Sequence, residues 1–106
     1  MNETISAVID TYVKYISSLD GVLQIYLFGS HAKCTAHEHS DIDLMVIVDD
    51  RIDRVKASVN ISRGLSKRTV PLDVLVNRKT DFLNASIGPT LQNLIKSEGV
   101  LMYGAE

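Results

Sequence analysis

Two aspartates one residue apart, Asp41 and Asp43, sit in Ser40-Asp41-Ile42-Asp43-Leu44. Gly29-Ser30 precedes them with ten residues between, and a third acid, Asp73, lies in Pro71-Leu72-Asp73-Val74-Leu75-Val76. Residues 41–48 are apolar enough to be a buried strand, and alternate strand side chains share a face. Asp41 and Asp43 therefore stand on one side, about 7 Å apart. Ile42, Leu44, Val46 and Val48 take the other side. If residues 72–76 form the neighbouring strand, Asp73 lies opposite the pair. Three converging carboxylates repel one another and call for a cation. Oxygen-only ligands suit Mg²⁺ or Mn²⁺, and Mg²⁺ usually completes its shell with water and substrate phosphate. Two such ions, about 4 Å apart, can hold the attacking and leaving oxygens of a phosphoryl transfer.

The Gly-Ser pair supplies a candidate phosphate cradle. Gly29 lets the backbone approach a ligand closely. A short helix over residues 31–36 would turn free N–H groups toward an anion, and Ser30 would add a hydroxyl. Lys33 and Ser40 are further candidates for nucleotide contact. Plainer readings stand beside these. Asp41 and Asp43 could form a turn before a strand, Asp73 could be an edge-strand acid, Ser30 a helix cap and Lys33 a solvated cation. Cys34, His37 and His39 fall short of a four-ligand zinc set.

The elements that would position these groups can be read from periodicity. Ile5, Val8, Ile9, Tyr12, Val13 and Ile16 make one stripe of a helix over residues 3–18, stopped at Asp20-Gly21. Val22–Phe28 reads as a buried strand. Asp49-Asp50 is expected to open a helix running to about Lys67, with Ile52, Val55, Val59 and Leu65 inward. Pro71 bars a helix before the third strand, residues 72–76. Ile87, Leu91, Leu94 and Ile95 mark a last helix that Gly99 ends, and residues 100–103 are expected to return as a short strand. Helices alternating with buried strands indicate an α/β fold, a mixed sheet packed against helices.

The bulk numbers are consistent with this. A chain of 106 residues that is 45% hydrophobic is expected to form one domain, residues 1–106, with no need of a disulfide or metal staple. A net charge of −2, with both signs interspersed, argues against direct nucleic-acid binding. The single cysteine, Cys34, fits a reducing compartment. No apolar run is long enough to cross a membrane, and the N-terminus lacks the basic start of a signal peptide. A cytoplasmic location is the expectation.

Gly29, Ser30, Ala32, then Ser40, Asp41, Asp43 and Leu44 together resemble the signature of the DNA polymerase beta-like nucleotidyltransferases, closest to their minimal nucleotidyltransferase (MNT) branch. Asp73 matches the third aspartate of that family. Ser97-Glu98-Gly99-Val100-Leu101-Met102-Tyr103 is similar to the way MNT chains close. The resemblance runs from about residue 22 to 103. It implies that Asp41, Asp43 and Asp73 hold Mg²⁺, two ions being expected, and that Asp73 helps deprotonate the attacking hydroxyl. Gly29 and Ser30 would grip the triphosphate of ATP. It further implies AMP transfer to a hydroxyl, expected on a tyrosine of a HEPN-domain toxin, with this chain as the antitoxin. That pairing would be a hetero-oligomer in which the partner completes the site. A non-catalytic binding antitoxin and an aminoglycoside-like small-molecule transferase are the alternatives. Cys34 stands where the family has glycine, which puts the shape of the loop in question.

Overall fold

The computed structural model describes residues 3–33, 41–65 and 70–104. The elements follow the order α1 (Glu3–Ser17), β1 (Val22–Phe28), β2 (Ile42–Val48), α2 (Arg54–Gly64), β3 (Leu72–Arg78), α3 (Lys79–Ala85), α4 (Leu91–Glu98) and β4 (Val100–Tyr103). The four strands form one mixed sheet in the order β3-β2-β1-β4. β1 pairs antiparallel with β2 and with β4. β2 and β3 pair in parallel, joined by the α2 crossover, as a parallel pair requires. This is the expected α/β fold with a mixed sheet.

The sheet buries side chains on both faces. One cluster joins the α1 stripe, Ile9, Tyr12, Val13 and Ile16, to Ile25 and Leu27 of β1, and to Ile42, Leu44, Val46 and Val48 of β2. Ile61 and Leu65 add α2 and its end to the same cluster. A smaller cluster on the other face holds Tyr26, Met45, Ile47, Phe82 and Ile95. The rings of Tyr26 and Phe82 stack there, 6.0 Å apart. With apolar residues on both faces, β1 and β2 read as continuous apolar runs rather than alternating ones. Each fully buried Ile or Leu contributes roughly 1.5–3 kcal/mol to holding these layers together.

Several boundaries differ from the sequence reading. α2 begins at Arg54, not at Asp49-Asp50, because Asp53 is its cap: one carboxylate oxygen accepts from the N–H groups of Val55 and Lys56. Its inward residues are Ala57, Ile61 and Leu65, whereas Val55 is 64% exposed and Val59 is also exposed. The last helix starts at Leu91, capped by Thr90, and leaves Ile87 outside it and 84% exposed. α3 is an additional helix that the periodicity did not reveal. Residues 31–33 form a turn, in which the Lys33 N–H donates to the Gly29 carbonyl at 3.2 Å; the rest of the short helix expected there lies outside the described residues.

Candidate active site

Parallel pairing of β2 with β3 sets the acids side by side. Asp43 and Asp73 are direct partners in the register, on strands about 4.8 Å apart. Asp41 precedes β2 by one residue, two positions from Asp43. Ile42 and Leu72, their neighbours, both turn to the opposite face, into the larger cluster. The register starts where the Ile42 N–H donates to the Pro71 carbonyl at 2.9 Å. Pro71 itself has no N–H to give, so it stands just outside the ladder.

Asp43 is the most constrained of the three. Its carboxyl titrates above the ordinary aspartate value, first because of burial and then because Asp73 and Asp41 place negative charge beside it. Asp41 and Asp73 are exposed. His31 opposes part of the rise; the residue is buried, only 3% exposed. In the sequence His31 marks only the start of the expected short helix, and no local pattern signals its burial.

Gly29 follows the last residue of β1, and Phe28 pairs with Asp43 across the ladder. Gly29 has φ +75°, and a Cβ there would fall on the Oδ2 atom of Asp43. Only glycine allows both the left-handed backbone and this close approach. The turn is thereby held against the carboxylate, and Ser30, half-buried, follows directly. Lys33 reaches back to Glu98 at the end of α4, with Nζ and Oε2 at 3.8 Å. Ser40, Cys34, His37 and His39 lie outside the described residues.

The structure thus brings Gly29, Ser30, Asp41, Asp43 and Asp73 together at one end of the β1, β2 and β3 strands. Among the described residues, no three His, Cys, Asp or Glu side chains meet closely enough to hold a metal ion by themselves. A hard cation that takes part of its shell from water and phosphate needs fewer protein ligands. The all-oxygen donor set and the raised Asp43 titration fit such a cation, because bound positive charge would relieve the repulsion. A larger cleft of about 500 Å³, lined by Tyr26, Ile47 and Phe82 with Lys79 and Lys96 at its edge, lies toward the other end of β1 and β2.

Residues 10–106 match the family described as "Polymerase beta, Nucleotidyltransferase". The chain belongs to this nucleotidyltransferase family. No curated protein sequence matches it significantly. The fold is similar to that of a candidate nucleotidyltransferase from Sulfolobus solfataricus, with TM-score 0.65 and 19% identity over 92% of this chain and 78% of that one. It is also similar to a chain of a toxin-antitoxin complex with AMP-PNP, with TM-score 0.56 and 22% identity over 94% and 73%. A third likeness is to a chain from the complex of a tri-AMPylated Shewanella oneidensis HEPN toxin with an MNT antitoxin. There the TM-score is 0.50 and the identity 18%, over 91% and 70%. At these identities the likenesses establish a common fold. Among the described residues, no helix is long and apolar enough to cross a membrane.

Proposed function

We propose that the chain is an MNT-type antitoxin that transfers AMP from ATP to a hydroxyl of a HEPN-type toxin, the hydroxyl being that of a tyrosine. The observation that carries the proposal is the carboxylate group centred on Asp43, crowded by Asp41 and Asp73 and abutted by the Gly29 turn. Family membership over residues 10–106 supports the reaction class. The structurally similar complexes, one with AMP-PNP and one with a tri-AMPylated HEPN toxin, support the donor and the acceptor.

In this reading Gly29 and Ser30 hold the triphosphate, assisted by Lys33 and Ser40. Asp41, Asp43 and Asp73 are the residues that would hold Mg²⁺, two ions being expected. When bound, the metal supplies Lewis-acid neutralisation of the phosphate oxygens and orients the reacting groups. The acceptor oxygen attacks the α-phosphorus, the bond to the bridging oxygen of pyrophosphate breaks, and pyrophosphate leaves. Asp73, which is exposed, takes the hydroxyl proton. The work is done by a single nucleotidyltransferase domain in the cytoplasm, with the toxin completing the site as partner.

The test is transfer of labelled AMP to a co-purified HEPN protein. Asp41→Asn, Asp43→Asn and Asp73→Asn are each expected to lower transfer by orders of magnitude with the fold intact, and chelation of Mg²⁺ to abolish it. Full activity in Asp43→Asn would overturn the assignment of the carboxylates. Neutralisation of the toxin by an Asp41→Ala/Asp43→Ala double variant as effective as by the wild type would favour an antitoxin that acts by contact alone.

A further inference from the structure

Two leucines of α4 are not used by the core. Leu91 is 42% and Leu94 44% exposed, while Ile95 on the same helix is buried. Both line a slot of about 190 Å³ between α4 and the end of β1, with Phe28 and Ala32 lining it from the strand and the turn. Gly99 shapes the join behind it: a Cβ there would lie 2.5 Å from the Ile95 carbonyl oxygen and 3.3 Å from that of Leu27. With glycine at this position, α4 and β1 close together. The slot ends at the turn, where Gly29 and Lys33 are part of its lining. The Lys33–Glu98 ion pair ties that turn to α4, and Glu98 lines the slot as well.

We infer that this slot receives the nucleobase of the nucleoside triphosphate whose phosphates lie at Gly29 and Ser30. The inference rests on the nucleotide reading of the Gly-Ser turn and extends it to the part of the molecule that the turn cannot grip. The slot is smaller than the roughly 300–1,000 Å³ of a site that engulfs a whole ligand, so it takes a fragment. Its walls are Phe28, Ala32, Leu91 and Leu94, which desolvate a flat heteroaromatic ring at little cost but a phosphate only at great cost. Phe28 adds a ring face against which a base can pack. Phosphates at Gly29 and a base between Leu94 and Phe28 would lie along one continuous surface, as an extended nucleotide does. The apolar spacing of α4, which core packing leaves half unexplained, then has a use.

The experiment is calorimetric titration of the full chain, with Mg²⁺ present, using ATP and inorganic tripolyphosphate as separate probes. Wild type is expected to bind ATP more tightly than tripolyphosphate. Leu91→Gln/Leu94→Gln, and Leu94→Gln alone as the milder variant, are expected to weaken ATP by about tenfold through lost apolar contact. Tripolyphosphate should bind these variants as it binds the wild type, and Leu94→Met should restore ATP affinity. An unchanged ATP affinity, or an equal loss for both probes, overturns the slot while leaving phosphate binding at the turn in place. A wild-type chain that binds neither probe overturns the nucleotide reading, and the slot with it.

Discussion

Asp43 sits among its own kind, and its titration follows from that. Its carboxyl holds a proton more tightly in the folded chain than in the unfolded one. As pH rises from the unfolded carboxyl range past the folded value, the unfolded state gives up its proton first, and the fold loses stability. Once the pH has passed the folded value this loss is complete. Asp43→Asn is therefore expected to raise the melting temperature at pH 7 without divalent cations. Below about pH 3, where wild-type Asp43 is itself protonated, the gain should disappear. A lower melting temperature at pH 7 would contradict a strained carboxylate. Gly29→Ala carries a second expectation. It places a Cβ on Asp43 Oδ2 and forces a left-handed backbone that costs of order 1 kcal/mol or more. Transfer should fall far more than stability does, as paired activity and melting assays would reveal. The acids were legible in the sequence because strand alternation and the interval from Gly29-Ser30 are local patterns. The burial of His31 and the Lys33–Glu98 pair were not, since each depends on segments that only the fold brings together.

Elements were legible where their signal was local. α1, β1 and β4 sit within a residue of where periodicity put them, because each is a run of apolar residues bounded by a turn. α3 was invisible for a physical reason. It has seven residues and one buried side chain, Phe82, too few for a period to emerge. Its own N-cap residue, Arg78, whose guanidinium pairs with Asp81, makes no side-chain capping hydrogen bond. Instead Asp50, thirty positions earlier, accepts from the Thr80 N–H at 2.9 Å and from the Thr80 hydroxyl. This also explains why α2 does not begin at Asp49-Asp50: Asp50 serves another helix, and Asp49 accepts from the Arg51 N–H. The Thr80 hydrogen bonds hold the Asp50 carboxyl below the ordinary value. A lowered folded value adds stability above the unfolded carboxyl range, and that stability is lost as pH falls through the folded value. Asp50→Ala should lower the melting temperature at pH 7 and differ little from wild type in strong acid. Tyr12 makes a comparable link, since its hydroxyl donates to the Val70 carbonyl at 2.9 Å and accepts from the Val70 N–H at 3.3 Å. This fixes the approach to β3 and hence to Asp73. Tyr12→Phe leaves both groups unpaired and should cost about 1–2 kcal/mol in denaturant unfolding.

At the scale of the whole molecule, the two faces of the sheet divide the labour. α1 and α2 cover one face with most of the apolar core, which leaves the other free to carry Asp43 and Asp73 at its end beside a lighter layer of α3 and α4. The parallel β2–β3 pairing is the decisive long-range feature, because it converts two separate acidic motifs into adjacent side chains. The sequence suggested that pairing only conditionally: the apolar runs mark two strands but not which neighbours they choose. The central claim, that this carboxylate group moves AMP onto a partner protein, is tested most directly by the intact mass of a cognate HEPN protein after incubation with this chain, ATP and Mg²⁺. The account predicts a gain of one or more AMP units, absent with the Asp41→Ala/Asp43→Ala variant. An unmodified partner recovered in a stable complex with the wild-type chain would contradict it.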